Sequence, residues 1–446
     1  MVDPAPHLPP HGPDEPAVDA PPGANVGAPA RAPVHAAREA LRLPPFRLLL
    51  GSQFAVGMTQ PMLFFTQGWY VNTAAPAGQE VLYLGGVGAA RGVAFLLYVL
   101  LGGAIADRFP RRTVVILSHL ATAGMILLIG SLLFVPAIRE GEGATLPIMI
   151  ALFATFGLTM GQDMPTRTSM VRDAVPERLL TTAIPLFQMS LSFAFLFAAP
   201  FAGWAIEHLG IPQTYLLAVA GPLAVLLLVR QLPRNIAAAD PEASQSSILR
   251  NLADGLAVLR ERPEVRWTVF LTWASQMFGL SVMGILIAAW VRDILGLDAA
   301  GWGLMALFWG VGNIVATAAL TARGPLRHKG ALFLSSAALF GVAVLGFSLS
   351  RTVVPAFFFN GLAGVGFMLV TTLGLAIVQT TVPNRLLGRV TGLLYLGLGL
   401  MQVSGLLLGV AAVFVGIERM YVAAGVSMLA ITALVALRQR PLRDVD

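Results

Sequence analysis

The sequence predicts an all-α integral membrane protein of twelve transmembrane helices, built as two six-helix bundles in a parallel 6+6 repeat with both termini cytoplasmic. Three observations predict it. Apolar residues make up 56% of the 446-residue chain and charged residues only 12%, half the share of about 25% in a soluble globular chain. Apolar runs long enough to span a bilayer recur from residue 46 onward. One turn occurs twice, as VPERLL at 175–180 and VPNRLL at 382–387, nearly half a chain apart.

The elements follow in order. Residues 1–45 hold 12 of the 30 prolines, a composition that buries no core and reads as a disordered cytoplasmic tail. The stretch from His35 to Arg47 suits a short helix on the membrane surface. Twelve apolar runs come next, near 46–72, 82–106, 112–136, 146–165, 178–207, 211–230, 266–290, 299–322, 330–350, 353–379, 388–412 and 414–437. A helix of roughly 20 residues crosses the hydrocarbon core. Backbone groups in lipid must be satisfied within their own segment, so these runs are helices. Pro185 and Pro200 are expected to kink the fifth. The polar interval 231–265 is a cytoplasmic linker between a bundle at 46–230 and a bundle at 266–437, and 438–446 is a short cytoplasmic tail. The two copies of the repeated turn then occupy the same place in each half, before the fifth and the eleventh helix. Proline suits a helix start, where its missing N–H costs nothing.

Charge sets the topology. Of 29 Lys and Arg residues, Arg139, Arg292, Arg351 and Arg419 fall on one side and Arg91 within a span; the others lie on the opposite side. The positive-inside tendency makes that side cytoplasmic and points to the plasma membrane, the bacterial inner membrane. The isoelectric point near 10.3 therefore reflects contact with the lipid bilayer rather than with nucleic acid. There is no cysteine, which excludes disulfides, zinc thiolates and thiol catalysis. No phosphate loop, HExxH motif or deep carboxylate pair is found, so no cofactor, metal or enzymatic activity is expected; a membrane-integral enzyme is the least favoured reading.

Between the second and third spans the sequence reads GGAIADRFPRRTVV, Gly102 to Val115. Arginine at a helix C-terminus complements the dipole, and Asp107 can pair with an arginine or cap the next helix. The stretch resembles the G-x-x-x-D-R-x-G-R-R signature of the major facilitator superfamily through Gly103, Asp107, Arg108, Arg111 and Arg112, with Pro110 where the family carries glycine. The resemblance covers roughly 46–437. It implies a transporter working by alternating access, with a charge-paired cytoplasmic latch in this loop; the plainer reading is a loop that only fixes topology. A second stretch, QDMPTRTSMVRDAVPERLL at 162–180, resembles the D-x-P-x-R…VP-x-x-R-L pattern of an exporter branch that includes enterobactin-type siderophore exporters and drug and macrolide efflux proteins. Asp163, Pro165, Arg167, Val175, Pro176, Arg178 and Leu179 carry the match. Ala90–Gly92 and Pro383–Val390 fit the same branch, and Pro200 and Gly203 match part of an antiporter signature.

Polar residues inside the spans are the candidate site. Arg91 lies about 13 Å deep, where an arginine costs on the order of 3 kcal/mol. It either bonds backbone carbonyls between helices, contacts an anionic or polar substrate, or partners a titrating carboxylate. Asp163 and Arg167 have helix-pair spacing and read as a gate pair or a proton carrier with its partner. His119 is an interhelix hydrogen bond or a proton relay. Gln60 and Gln276 sit at matching depth in the two halves, and Gln188, Asn313, Asn360 and Gln402 add neutral polar groups; each lines a cavity or joins helices. Trp273 and Trp309 fall well inside their helices, while the other five tryptophans lie nearer the ends, as interfacial anchors do. Such a cavity suits a large amphipathic solute, neutral or anionic. The expected function is proton-coupled efflux of a drug-like or siderophore-like small molecule, with an uptake permease or lipid flippase as the alternative. Nothing in the chain requires more than a monomer.

Overall fold

The computed structural model of the protein describes residues 33–106, 110–233, 248–323 and 328–443. Among the described residues all regular structure is helical. The first half contains α1 (Pro33–Arg42), α2 (Pro44–Ala74), α3 (Glu80–Ala106), α4 (Arg111–Leu132), the single turn α5 (Pro136–Arg139), α6 (Thr145–Ala174), α7 (Leu180–Leu209), α8 (Ile211–Leu217) and α9 (Ala220–Arg230). The second contains α10 (Ile248–Glu261), α11 (Pro263–Ala274), α12 (Ile287–Ala289), α13 (Ala299–Arg323), α14 (Lys329–Leu349), α15 (Val353–Thr381), α16 (Asn384–Val415), α17 (Ile417–Arg438) and α18 (Arg440–Arg443). Short connections make successive long helices antiparallel. Each half therefore begins and ends on one face, here the near face; the opposite side is the far face.

Among the described residues eleven spans are long and apolar enough to cross a membrane. The twelfth, α6, is as long, and its described apolar stretch is Thr145–Phe156. The expected disordered tail lies largely in residues 1–32, outside the described residues, and α1 begins at Pro33. Glu39 of α1 takes a two-pronged ion pair from Arg178, at 2.9 and 2.5 Å, which fastens α1 to the 175–180 turn. In the second half α10 lies against the start of α16, with Val258 and Leu259 buried beside Val390, Leu393 and Leu394. Each bundle thus carries a surface helix packed at the same turn.

Local sequence explains where helices begin and break. Proline occupies the first turn of α2, α5, α8 and α11, as its fixed φ and absent N–H favour. Gly210 (φ 90°) joins α7 to α8 and Gly416 (φ 86°) joins α16 to α17. These are equivalent corners of the two halves, and both need the left-handed conformation that glycine supplies. The span expected at 211–230 is broken between α8 and α9. Pro222 has no N–H to offer the Ala218 carbonyl, and the chain resumes its helix one step on. α7 continues through Pro185 and Pro200. After α11 the span widens into a π-helix over Ser275–Ile285, a stretch rich in serine and glycine, which hold an α-helix weakly.

The two bundles meet along two seams of small residues. In one, α3 lies on α16: a β-carbon on Gly85 would strike the Gly405 carbonyl, and one on Gly409 would lie 2.7 Å from the Val81 carbonyl. In the other, α7 lies on α13: a β-carbon on Gly303 would lie 2.6 Å from the Ala199 carbonyl, and one on Gly203 would strike that of Ala299. Small residues let helix backbones approach this closely, which is what binds helices in lipid, where the hydrophobic effect supplies no drive between them.

Candidate functional site

A cavity of about 220 Å³ lies between the bundles. The first bundle contributes Phe64, Phe65 and Phe195; the second contributes Met283, Trp302, Trp309 and Asn360 among others. Its wall is almost wholly apolar and aromatic. Phe65 packs 4.2 Å from the Trp302 ring, and Trp69 stacks on the same indole at 6.1 Å. Gly68 makes room, since a β-carbon there would sit 2.8 Å from the Trp302 ring. These rings, on the last turns of α2 and the first turn of α13, form a plug between the cavity and the far face.

Polar contacts reinforce the far-face closure. Asn72 Nδ2 donates to the Ala288 carbonyl at 3.5 Å, and Arg292 donates through Nη1 to the Asn72 carbonyl. The second bundle thereby puts a cation on the C-terminal end of α2, where the helix dipole favours it. Beside it, burial and the Glu80 carboxylate push the Asp293 carboxyl above its ordinary value, with Arg292 pulling the other way.

The expected site residues separate by place. Trp309 and Asn360 line the cavity. Asn360 Nδ2 also donates to the Met305 carbonyl at 2.6 Å, leaving its buried Oδ1 without a protein partner. Asn313, in the amide orientation that satisfies both neighbours, donates to the Gly364 carbonyl (2.7 Å) and accepts from the Trp309 indole N–H (3.3 Å). Trp273 donates to the Leu393 carbonyl at 2.8 Å. Gln402 packs in the α3–α16 seam against Gly88 and Gly92. Gln276 is buried with Oε1 unpartnered. Gln188 accepts from Gln53 at 3.5 Å, and Gln60 is half-buried on α2. Trp290 and Trp302, expected as interfacial anchors, are instead 0% and 2% exposed: one packs on Phe347 and Tyr421, the other on the α2 aromatics, and these rings outcompete the interface.

At the near face Asp107 and Arg108 lie outside the described residues, as do the side-chain surroundings of Gly103 and Asp163. Arg111 pairs with Asp173 at 3.2 Å and Arg112 donates to the Arg230 carbonyl at 2.7 Å, both within the first bundle. Arg167 is buried, with Nη1 3.4 Å from Ser52 Oγ and its guanidinium over the Phe187 ring at 5.9 Å. His119 Nδ1 lies 3.0 Å from the Val115 carbonyl.

Arg91 is 7% exposed, its guanidinium carbon 5.6 Å from the Phe64 ring centroid. Close by, Gln67 Nε2 donates to the Tyr215 hydroxyl at 2.6 Å. Phe64, Phe65, Gln67, Trp302, Tyr215 and Arg292 were not among the site residues expected from the sequence, which read Trp302 as an interfacial anchor and Arg292 as a topology signal. Apolar rings inside apolar runs carry no periodic signal, and a loop arginine reads only as topology.

Comparison with known proteins accords with this architecture. Residues 49–406 match the Major Facilitator Superfamily. The chain is 23% identical to the staphyloferrin A transporter of Staphylococcus aureus (strain NCTC 8325 / PS 47), over 84% of this chain and 91% of that protein. It is 22% identical to the multidrug efflux pump Tap of Mycolicibacterium fortuitum, over 79% of this chain and 85% of the pump. Among solved structures, a mutant of the nucleoside transporter NupG superposes with a TM-score of 0.70 at 14% identity, covering 89% of this chain and 100% of that one. The peptide-transporter-family protein PepTSo gives 0.68 at 13% identity, covering 91% and 99%. Two bundles joined by glycine seams around a shared cavity, and a family match running through both, make this multi-pass membrane protein a transporter of the Major Facilitator Superfamily.

Proposed function

We propose that the protein exports an amphipathic small molecule from the cytoplasm by proton antiport, with the near face cytoplasmic and the protein in the plasma membrane. The observation that carries this reading is the aromatic cavity, walled by both bundles and plugged toward the far face by Phe65, Trp69 and Trp302. A cavity shared by two rocking halves is what alternating access requires. Its apolar lining favours a solute with a large apolar body, in keeping with the names of the siderophore-transporting and multidrug-exporting relatives. The arginine-rich near face supports its cytoplasmic placement. Asp107, Arg108, Arg111, Arg112, Asp163 and Arg167 form the near-face gate in this reading, and Asp107 and Asp163 are the acids offered for proton coupling.

The test is efflux from cells lacking their own exporters, using a panel of lipophilic drugs and siderophore-like chelators. Uncoupler-sensitive export by the wild type is expected. Ala306 lines the cavity, so Ala306→Trp, which fills it, is expected to abolish export while membrane insertion stays normal. Undiminished export by that variant removes the cavity from the mechanism; export that ignores the uncoupler removes the proton.

A further inference from the structure

Arg91 carries the most unusual polar surface in the protein. Its Nε and Nη2 atoms are buried with no hydrogen-bond partner, and so is Gln67 Oε1 nearby. Among the described residues no carboxylate neighbours Arg91; Tyr215 is the titratable group beside it. Nε and Nη2 define one edge of the guanidinium. Their two N–H bonds point the same way, and that edge is the fork a carboxylate accepts with both oxygens. A buried charge held without a partner is costly, and the protein leaves this fork unfilled by any described side chain. Phe64 connects the two places: it belongs to the cavity wall, and Arg91 lies against its ring. The charge therefore stands one ring behind the chamber, and a rotamer change of Phe64 would remove the ring that lies between them.

We propose that Arg91 binds a carboxylate of the transported solute, so that the substrate class is an amphipathic acid whose apolar body fills the aromatic cavity. This rests on the cavity being the transport site. The opposite distribution, in which Arg91 serves only to join helices, would place carbonyl acceptors on Nε and Nη2, and none is there.

The experiment is equilibrium binding to the purified full-length chain in lipid nanodiscs. The probes are radiolabelled 1-naphthaleneacetate and 1-naphthaleneacetamide, alike in shape and different in charge. The wild type is expected to prefer the acid by about tenfold or more, the worth of a charge-assisted hydrogen-bond pair. Arg91→Gln is expected to bring that preference to near unity, and Arg91→Lys to keep part of it, since lysine retains the charge but not the fork. Equal binding of acid and amide by the wild type overturns the inference and leaves the cavity as the transport site. Persistence of the preference in Arg91→Gln also overturns it, assigning the selection elsewhere. Binding of neither probe overturns both the inference and the cavity reading. Equal binding by the wild type overturns the inference even if a variant fails to fold, and Arg91→Lys, which keeps the charge, is the second variant on which the assignment to Arg91 is read.

Discussion

At the residue scale the far-face closure contains its own pH dependence. Asp293 is held above the ordinary carboxylate value of 3.8, first by burial and then by Glu80, with Arg292 opposing. A raised carboxylate pKa means that the folded, closed arrangement disfavours the charged form. That penalty is absent below pH about 3.8, develops as pH rises through the shifted pKa, and is constant above it. Asp293→Asn is accordingly expected to raise the thermal midpoint at pH 7 and to have little effect near pH 3.5; a midpoint at pH 7 that falls would contradict it. Legibility in the sequence differed among such residues. Arg91 stood out because an arginine inside an apolar run has one obvious meaning, expense. Asp293 and Arg292 did not, because their roles depend on which turn of the other bundle they meet, and no local pattern encodes that.

At the element scale the end of α2 is where the bundles are fastened. Arg292 reaches across to the Asn72 carbonyl, and Asn72 reaches back to Ala288. Removing a charged donor from such a bond costs roughly 1.5–3 kcal/mol, enough to shift a closed-to-open balance by tenfold or more. The chain has no native cysteine, so Leu280→Cys, in the cavity wall, gives a single reporter. A membrane-impermeant maleimide applied to the far face is expected to label it faster in an Arg292→Ala background. Unchanged labelling would mean that the aromatic plug closes this face without the arginine. The helices themselves were legible from apolar length, and their starts from proline. The break at Ala218–Val219 was legible in principle from Pro222, but hydropathy averages over it. The π-helix at Ser275–Ile285 was not: only its serines and glycines hint at weakness, and the same residues pass elsewhere as helix contacts.

At the scale of the whole molecule the repeat in the sequence reappears as geometry. The VPERLL and VPNRLL turns each receive a surface helix, and Gly210 and Gly416 turn the same corner in each half. The seams between halves are the part that composition could not reveal, since Gly85, Gly303, Gly405 and Gly409 look in sequence like any of the 46 glycines. Gly85→Leu is expected to insert normally yet lower transport by at least about tenfold, because its side chain has no space beside Gly405; near-normal transport would show that the seam yields freely. Interlocked side chains engage like the teeth of two gears, and to separate them whole rows must disengage together. Backbone against backbone has no teeth. The α3–α16 and α7–α13 seams resemble two smooth rails, along which contact is surrendered a little at a time as the halves tilt. A joint of that kind has a low starting friction, and its cost is intolerance: one misplaced side chain is a stone on the rail.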